Sequence, residues 1–282
     1  MLKNKKIGFI GAGSMAEAMI SGIVNAEKLP KDHIYVSNKS NEERLRELET
    51  GYGIKGVKRE DLPLRELDII ILAMKPKDAK IALDSIRDEL QPHQLIISVL
   101  AGITTSFMEH HLKYGQPVLR VMPNTSSMIS ESATAIAPGT FTDHNQITVA
   151  KELLTCIGKV FEIKEEQMDI FTGIAGSGPA YFYYLMEHME RAGKEGGLDT
   201  ETTREIMAQT ILGAAKMILE ADEAPATLRE NVTSPNGTTA AGLAALAKHG
   251  GGKAITQAVK QATHRSHEIS SQLEEKLLPK AQ

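Results

Sequence analysis

A glycine turn near the start of the chain, Gly11-Ala12-Gly13-Ser14-Met15-Ala16, constrains the fold more than any other run. It follows the apolar stretch Ile7-Gly8-Phe9-Ile10 and opens a helical pattern from Ser14 to Asn25. Strand, then G-x-G-x-x-A, then helix is the dinucleotide-binding fingerprint of a βαβ unit. Gly11 allows the tight turn, Gly13 lets backbone approach a pyrophosphate, and Ala16 lets the helix pack closely on the strand. The helix N-terminus offers free N–H groups and the positive end of its dipole to the phosphates. Ile10, Gly11, Ala12, Gly13, Ser14 and Met15 are therefore candidate cofactor contacts.

The pattern repeats downstream. His33 to Ser37, Asp68 to Ala73, Leu95 to Val99, Pro117 to Val121, Ala133 to Ile136 and Val160 to Ile163 read as strands. Glu42 to Glu49, Lys77 to Glu89, Thr104 to Leu112 and Asn145 to Ile157 read as the intervening helices. Near-continuous apolar strands alternating with helices predict a doubly wound parallel sheet covered on both faces, a Rossmann-like α/β domain over residues 1–164.

The end of the second strand bears on the choice of cofactor. An NAD-binding chain places Asp or Glu there to bond the ribose hydroxyls. This chain has Ser37-Asn38-Lys39-Ser40, which suits the 2′-phosphate of NADPH and leaves NADH the poorer ligand. The alternative for Lys39 is a solvated turn lysine. Ligands of doubly wound sheets bind beyond the carboxyl ends of strands. That rule brings in Ala73, Met74, Lys75 and Pro76 after one strand, and Ser98, Ala101 and Gly102 after another. Pro76 is equally explained as a helix start.

After Lys164 the strands stop. Ala180, Tyr181, Tyr184, Leu185, His188, Met189 and Ala192 share one helical face, Thr203 to Glu220 is a helix of many small residues, and Ile255 to Leu277 carries an apolar stripe. Residues 165–282 are thus expected to be all helical, with apolar stripes that pair with a second subunit. The segment Ala240 to Ala247 is apolar nearly all round, so burial is expected. Before it lies Thr233-Ser234-Pro235-Asn236-Gly237-Thr238-Thr239, a hydroxyl-rich loop at a helix N-terminus. That loop is either a small-anion site or an ordinary capped start.

Composition removes other classes. The net charge of −4 opposes a nucleic-acid partner. No apolar run approaches membrane-spanning length, and no signal-peptide pattern opens the chain, so a cytoplasmic location is expected. The one cysteine, Cys156, lies in an apolar pattern and reads as core. No Cys/His cluster has metal-ligand spacing, so no metal is expected. The histidines, His110, His111, His264 and His267 among them, read as surface or helix-face residues rather than catalysts.

Five runs in this order, Gly11 to Ala16, Ala73-Met74-Lys75-Pro76, Arg120-Val121-Met122-Pro123-Asn124-Thr125, Thr172 to Tyr181 with its Gly-Ser-Gly-Pro-Ala-Tyr, and Leu228 to Thr239, are similar to those of pyrroline-5-carboxylate reductases. The resemblance runs from about Lys6 to about Leu273. It implies reduction of the cyclic imine 1-pyrroline-5-carboxylate to proline by NAD(P)H. It also implies a helical dimerisation domain, with rings of dimers in some members. It places the substrate carboxylate against backbone N–H groups around Gly237 and Thr238. The Thr239 hydroxyl then faces the ring nitrogen, with Ser234 and Asn231 as further neighbours. The family usually has glycine where this chain has Asn236. Asparagine is the non-glycine residue that best tolerates a left-handed backbone, at a cost of about 1 kcal/mol.

Imine reduction needs a nicotinamide against one face of the C=N bond, a proton or hydrogen bond at nitrogen, and exclusion of water. Thr239 is the candidate catalytic residue. Its pKa is too high for a free general acid, so it orients a water or relays a proton; otherwise it is an N-cap. Ser177 either caps the following helix or faces the cleft. Two other readings compete. A related hydroxyacid or imine reductase would share the architecture, but the hydroxyacid type generally places a lysine in the helical domain for carbonyl chemistry, whereas the loop here carries hydroxyls, which favours an imine. A non-enzymatic NADP(H)-binding relative is kept open by Asn236.

Overall fold

The computed structural model describes residues 2–277. One sheet holds β1 (Ile7–Ile10), β2 (Ile34–Asn38), β3 (Lys55–Lys58), β4 (Ile69–Leu72), β5 (Leu95–Ser98), β6 (Val118–Met122), β7 (Ser132–Pro138) and β8 (Gly158–Glu162). Their order is β3-β2-β1-β4-β5-β6-β7-β8. The helices are α1 (Ser14–Asn25), α2 (Glu42–Tyr52), α3 (Ala79–Ile86), α4 (Thr105–His111), α5 (His144–Leu154) and α6 (Met168–Phe171), then α7 (Gly178–Glu195), α8 (Thr200–Glu220), α9 (Pro225–Asn231), α10 (Thr238–Lys248) and α11 (Gly251–Leu277).

The apolar strands are buried on both faces because alternate side chains enter two different cores. Ile69 and Ile71 of β4 pack with Ala16, Met19, Ile20 and Ile23 of α1 and with Leu153 and Leu154 of α5. Ile70 and Leu72 pack on the opposite face with Leu83 and Ile86 of α3 and Phe107 and Met108 of α4. Cys156 lies in the first of these cores, 6% exposed, and burial pushes its thiol pKa up, as a packing role requires.

Two features of the sheet differ from the sequence reading. β7 pairs antiparallel with β6, so β7 and β8, which are parallel to each other, run against the first six strands. The connection over 123–131 holds only a short 3₁₀ turn, Thr125–Ile129. A parallel crossover needs roughly a dozen residues or more. β3 had no expected counterpart. It is Lys55-Gly56-Val57-Lys58 at the sheet edge, where lysines discourage further pairing and dilute the apolar signal.

The described residues divide into two compact units, one of residues 2–177 and 261–277 and the other Gly178–Lys260. The strands end near the expected boundary at 164, but the compact division falls later and returns the end of α11 to the first unit. Local packing explains this. Met168 is fully buried against Met122, Ala135 and Ala137. The Ser266 hydroxyl donates to Asp169 at 2.7 Å, the Thr104 hydroxyl donates to Glu274 at 2.6 Å, and Leu273 packs against the core under α3 and α4. Residues 278–282 of the expected second domain, and the Leu277 side chain, lie outside the described residues.

In the second unit, α7 and α8 pack closely. A Cβ on Gly193 would come within 2.7 Å of Thr203. Glu190 binds both Lys194 and Arg204, at 2.9 and 2.6 Å. The expected burial of Ala240 to Ala247 does not hold within one chain. No residue of α10 is buried, and Leu246 is 58% exposed. Phe182, Tyr183, Tyr184, Leu212 and Ile255 are likewise exposed. One chain has too little structure around α10 to cover this apolar pattern.

Candidate active site

One candidate region, within the first compact unit, is the turn between β1 and α1. Gly11 has φ +113°, and a Cβ there would lie 2.6 Å from the Ala73 carbonyl and the Met74 nitrogen. Its N–H donates to the Ser37 carbonyl at 2.9 Å. Ala73 N–H donates to Ile10, and Val99 N–H to Leu72. The carboxyl ends of β1, β2, β4 and β5 are thereby joined in one rim. Gly13 is the N-cap of α1 and provides no side-chain cap. A Cβ on Gly13 would meet no protein atom within 4 Å. This residue set fits a pyrophosphate: backbone N–H groups in the first helical turn, open space above them, and no side chain in the way.

The other candidate cofactor residues differ in how they are presented. Ile10 and Ala12 are buried beneath the turn, Ser14 is exposed and Met15 half-buried. Asn38 is half-buried and Lys39 exposed at the end of β2. Ser37 is fully buried, and its hydroxyl donates to the Phe9 carbonyl at 3.0 Å, so it braces two strands rather than facing a ligand. Ala73 and Met74 are half-buried and Lys75 is exposed. Pro76 opens a 3₁₀ turn, which supports its reading as a helix start. Ser98 is fully buried and accepts the Leu100 N–H at 3.3 Å. Ala101 is exposed. Gly102 serves packing: at φ +78°, its missing Cβ would come within 2.9 Å of Leu273 and 3.3 Å of Ile269 on α11.

Asn124, at the exit of β6, had no role assigned from its residue type. It is 9% exposed. Its amide donates to the Ala175 carbonyl at 3.0 Å and its side-chain oxygen accepts the Ser126 N–H at 3.0 Å. Ala175 lies in a π-helical turn, Thr172–Gly176, closed by Ser177 N–H to the Thr172 carbonyl at 2.8 Å. Such turns recur at functional sites. The available signal was position, because Asn124 follows a strand at the ligand-binding edge.

A separate candidate region, within the second compact unit, is the loop between α9 and α10. Thr233 donates through its hydroxyl to the Arg229 carbonyl at 2.6 Å, closing α9. Ser234 to Gly237 form a turn, with Gly237 N–H to the Ser234 carbonyl at 3.0 Å. Asn236 has φ +58°, the left-handed conformation expected of it. Gly237 then becomes the N-cap of α10, with no side-chain cap. Thr238 and Thr239 are the first two helical residues, so the N-cap reading of Thr239 does not hold. Asn231 donates to Glu223 at 3.0 Å and is exposed, as is Ser234. The loop collects hydroxyls around a helix start that has no side-chain cap hydrogen bond.

The sheet order and the glycine turn define a class: an oxidoreductase built on a nicotinamide-dinucleotide-binding domain. Comparison with known proteins narrows it. Residues 6–102 match the family described as NADP oxidoreductase coenzyme F420-dependent, and residues 165–269 match pyrroline-5-carboxylate reductase dimerisation. Pyrroline-5-carboxylate reductase 1 of Bacillus subtilis is 62% identical over 275 residues, 98% of this chain and 93% of that protein. Pyrroline-5-carboxylate reductase 2 of the same species is 46% identical, covering 95% and 96%. Among solved structures, the Plasmodium falciparum pyrroline carboxylate reductase with NADP bound aligns with TM-score 0.86 at 29% identity, covering 96% of this chain and 100% of that one. The Coxiella burnetii pyrroline-5-carboxylate reductase aligns with TM-score 0.88 at 30% identity, covering 95% and 99%.

The chain belongs to the pyrroline-5-carboxylate reductase family. It is an oxidoreductase that makes proline from 1-pyrroline-5-carboxylate with NAD(P)H.

The left-handed backbone at Asn236 gives the first test. Asn236→Gly should retain stability and the KM for the imine. Asn236→Val, with a β-branched side chain at positive φ, should cost about 1–2 kcal/mol in urea unfolding and raise that KM. Equal behaviour of the two variants would contradict the loop geometry.

Proposed function

We propose that the substrate carboxylate rests on the backbone N–H groups at the start of α10, around Gly237 and Thr238, with the Thr239 hydroxyl at the ring nitrogen. The observation that carries this reading is the turn itself. The left-handed Asn236 delivers a glycine N-cap, and no side chain caps the first turn of the helix. A small anion is the natural occupant of such a helix start. Ser234 and Asn231 line the same loop and orient the ring. When bound, the nicotinamide cofactor supplies the hydride for the imine carbon.

Thr239 holds the nitrogen in line and passes a proton to it from a water, since a threonine hydroxyl is too weak an acid to ionise near neutrality. Thr239→Ala should lower kcat roughly a hundredfold while the unfolding midpoint shifts little. An unchanged kcat would reduce Thr239 to a packing residue.

NADPH is the preferred donor in this reading. The end of β2 has no carboxylate to repel a 2′-phosphate, and Asn38 and Lys39 stand at its exit. The buried Ser37 supports the strand end from below. Lys39→Glu should lower the ratio of kcat/KM for NADPH over NADH by about tenfold or more. An unchanged ratio would contradict the assignment.

The working unit in this reading is a homodimer formed through the C-terminal helices, with a ring of dimers as its larger form. The exposed apolar side chains of α7, α8 and α10 support it, since such surface on a soluble chain marks an interface. Light scattering at micromolar concentration should read a dimer or a multiple of it, and a monomer would contradict the reading. A cytoplasmic location accords with one unpaired cysteine and a reduced nicotinamide donor.

A further inference from the structure

Arg44 is the charged side chain most engaged with the glycine turn, yet it lies outside the fingerprint and outside the end of β2. It projects from the first turn of α2, where Asn41 caps the helix by accepting the Arg44 N–H at 2.9 Å. Its Nε donates to the carbonyl oxygen of Ala12 at 3.1 Å. Its Nη1 donates to Glu47 at 2.9 Å, and its Nη2 to Glu17 of α1. Glu17 also accepts the Tyr52 hydroxyl at 3.1 Å. The Arg44 side chain is only 23% exposed. One planar group thus ties the residue between Gly11 and Gly13 to both α1 and α2, using the fork geometry that arginine has and lysine lacks.

The consequence lies in the direction of a peptide dipole. A carbonyl pointing toward a pyrophosphate would repel it, whereas the N–H groups of the turn attract it. Gly11 and Gly13 lack the side chains that would otherwise restrict the orientation of the Ala12 carbonyl. A fixed donor on that oxygen removes the freedom that the glycines introduce. The two carboxylates around Arg44 already neutralise its charge, which argues against a direct phosphate clamp.

The geometry points to Arg44 as a positioning residue for dinucleotide binding. It holds the Ala12 carbonyl away from the cofactor phosphates and so presets the amides of the turn. This rests on the assignment of the dinucleotide to the glycine turn. It differs from the role given to Lys39, because it acts at the diphosphate, which NADPH and NADH share, and not at the 2′-phosphate.

The test uses full-length wild type, Arg44→Lys and Arg44→Met. Dissociation constants for NADPH and NADH would be measured by cofactor fluorescence, and hydrogen exchange would be followed in the ligand-free proteins. Arg44→Met should weaken NADPH and NADH alike, by about tenfold, while the KM for the imine and kcat at saturating cofactor stay near wild type. Amides of residues 11–16 should exchange faster in the free variant, with protection in α8 unchanged. Arg44→Lys should restore little of either, since the Nε donor is lost. Weakening confined to NADPH would make Arg44 a 2′-phosphate contact and overturn the proposal. Unchanged exchange at 11–16 with unchanged affinities would overturn it as well. Failure of wild type to bind either dinucleotide would instead defeat the underlying cofactor assignment, and the proposal with it.

Discussion

Backbone N–H groups at helix starts are the interaction on which the proposed binding of cofactor and of substrate depends. Several helices are closed at their N-termini by a side chain: Asn41 caps α2, Thr104 caps α4, Asp143 caps α5 and Asp199 caps α8. α1 and α10 instead start on glycines, Gly13 and Gly237, with no side-chain cap. A side-chain cap is worth about 1 kcal/mol to a helix. Leaving it out costs stability unless a ligand supplies the missing acceptor. The two helices at which an anion is expected, a pyrophosphate and a carboxylate, both start on a glycine that provides no side-chain cap.

Each start depends on its surroundings. At α1 the turn is pressed against the Ala73-Met74 backbone, so Gly11 cannot be exchanged for a residue with a Cβ. At α10 the approach runs through a left-handed residue that is not glycine. Asn236 accepts that conformation at modest cost and keeps the loop shape on which Gly237 and Thr238 rely. The departure from the usual family sequence is therefore a conservative one in backbone terms.

Much of this was legible in the residues. The run from Ile7 to Asn25 showed strand, turn and helix with the observed limits, because apolar period, glycine placement and helix composition all agree there. The conformation of Asn236 followed from the glycine that related sequences place there and from the tolerance of asparagine for a left-handed backbone. Features set by tertiary context were less legible. The reversal of β7 depends on a connection too short for a crossover, and β3 is a polar edge strand with a weak pattern. Ser37 and Ser98 look like ligand-facing hydroxyls at strand ends, but their side chains turn inward to pair with backbone. Gly102, a candidate cofactor contact, also makes room for α11, more than 160 residues later in the chain. Arg44 had no motif to announce it, because its partner is a carbonyl, a group that every residue carries.

In the proposed function, main-chain amides at the start of α10 hold the substrate by its carboxylate. The most direct measurement compares NADPH oxidation with 1-pyrroline-5-carboxylate and with 1-pyrroline, the same ring without the carboxylate, while following formation of the reduced amine. The account predicts efficient conversion of the first to proline and a kcat/KM for the second that is lower by roughly a hundredfold or more. Comparable turnover of the two imines would contradict it.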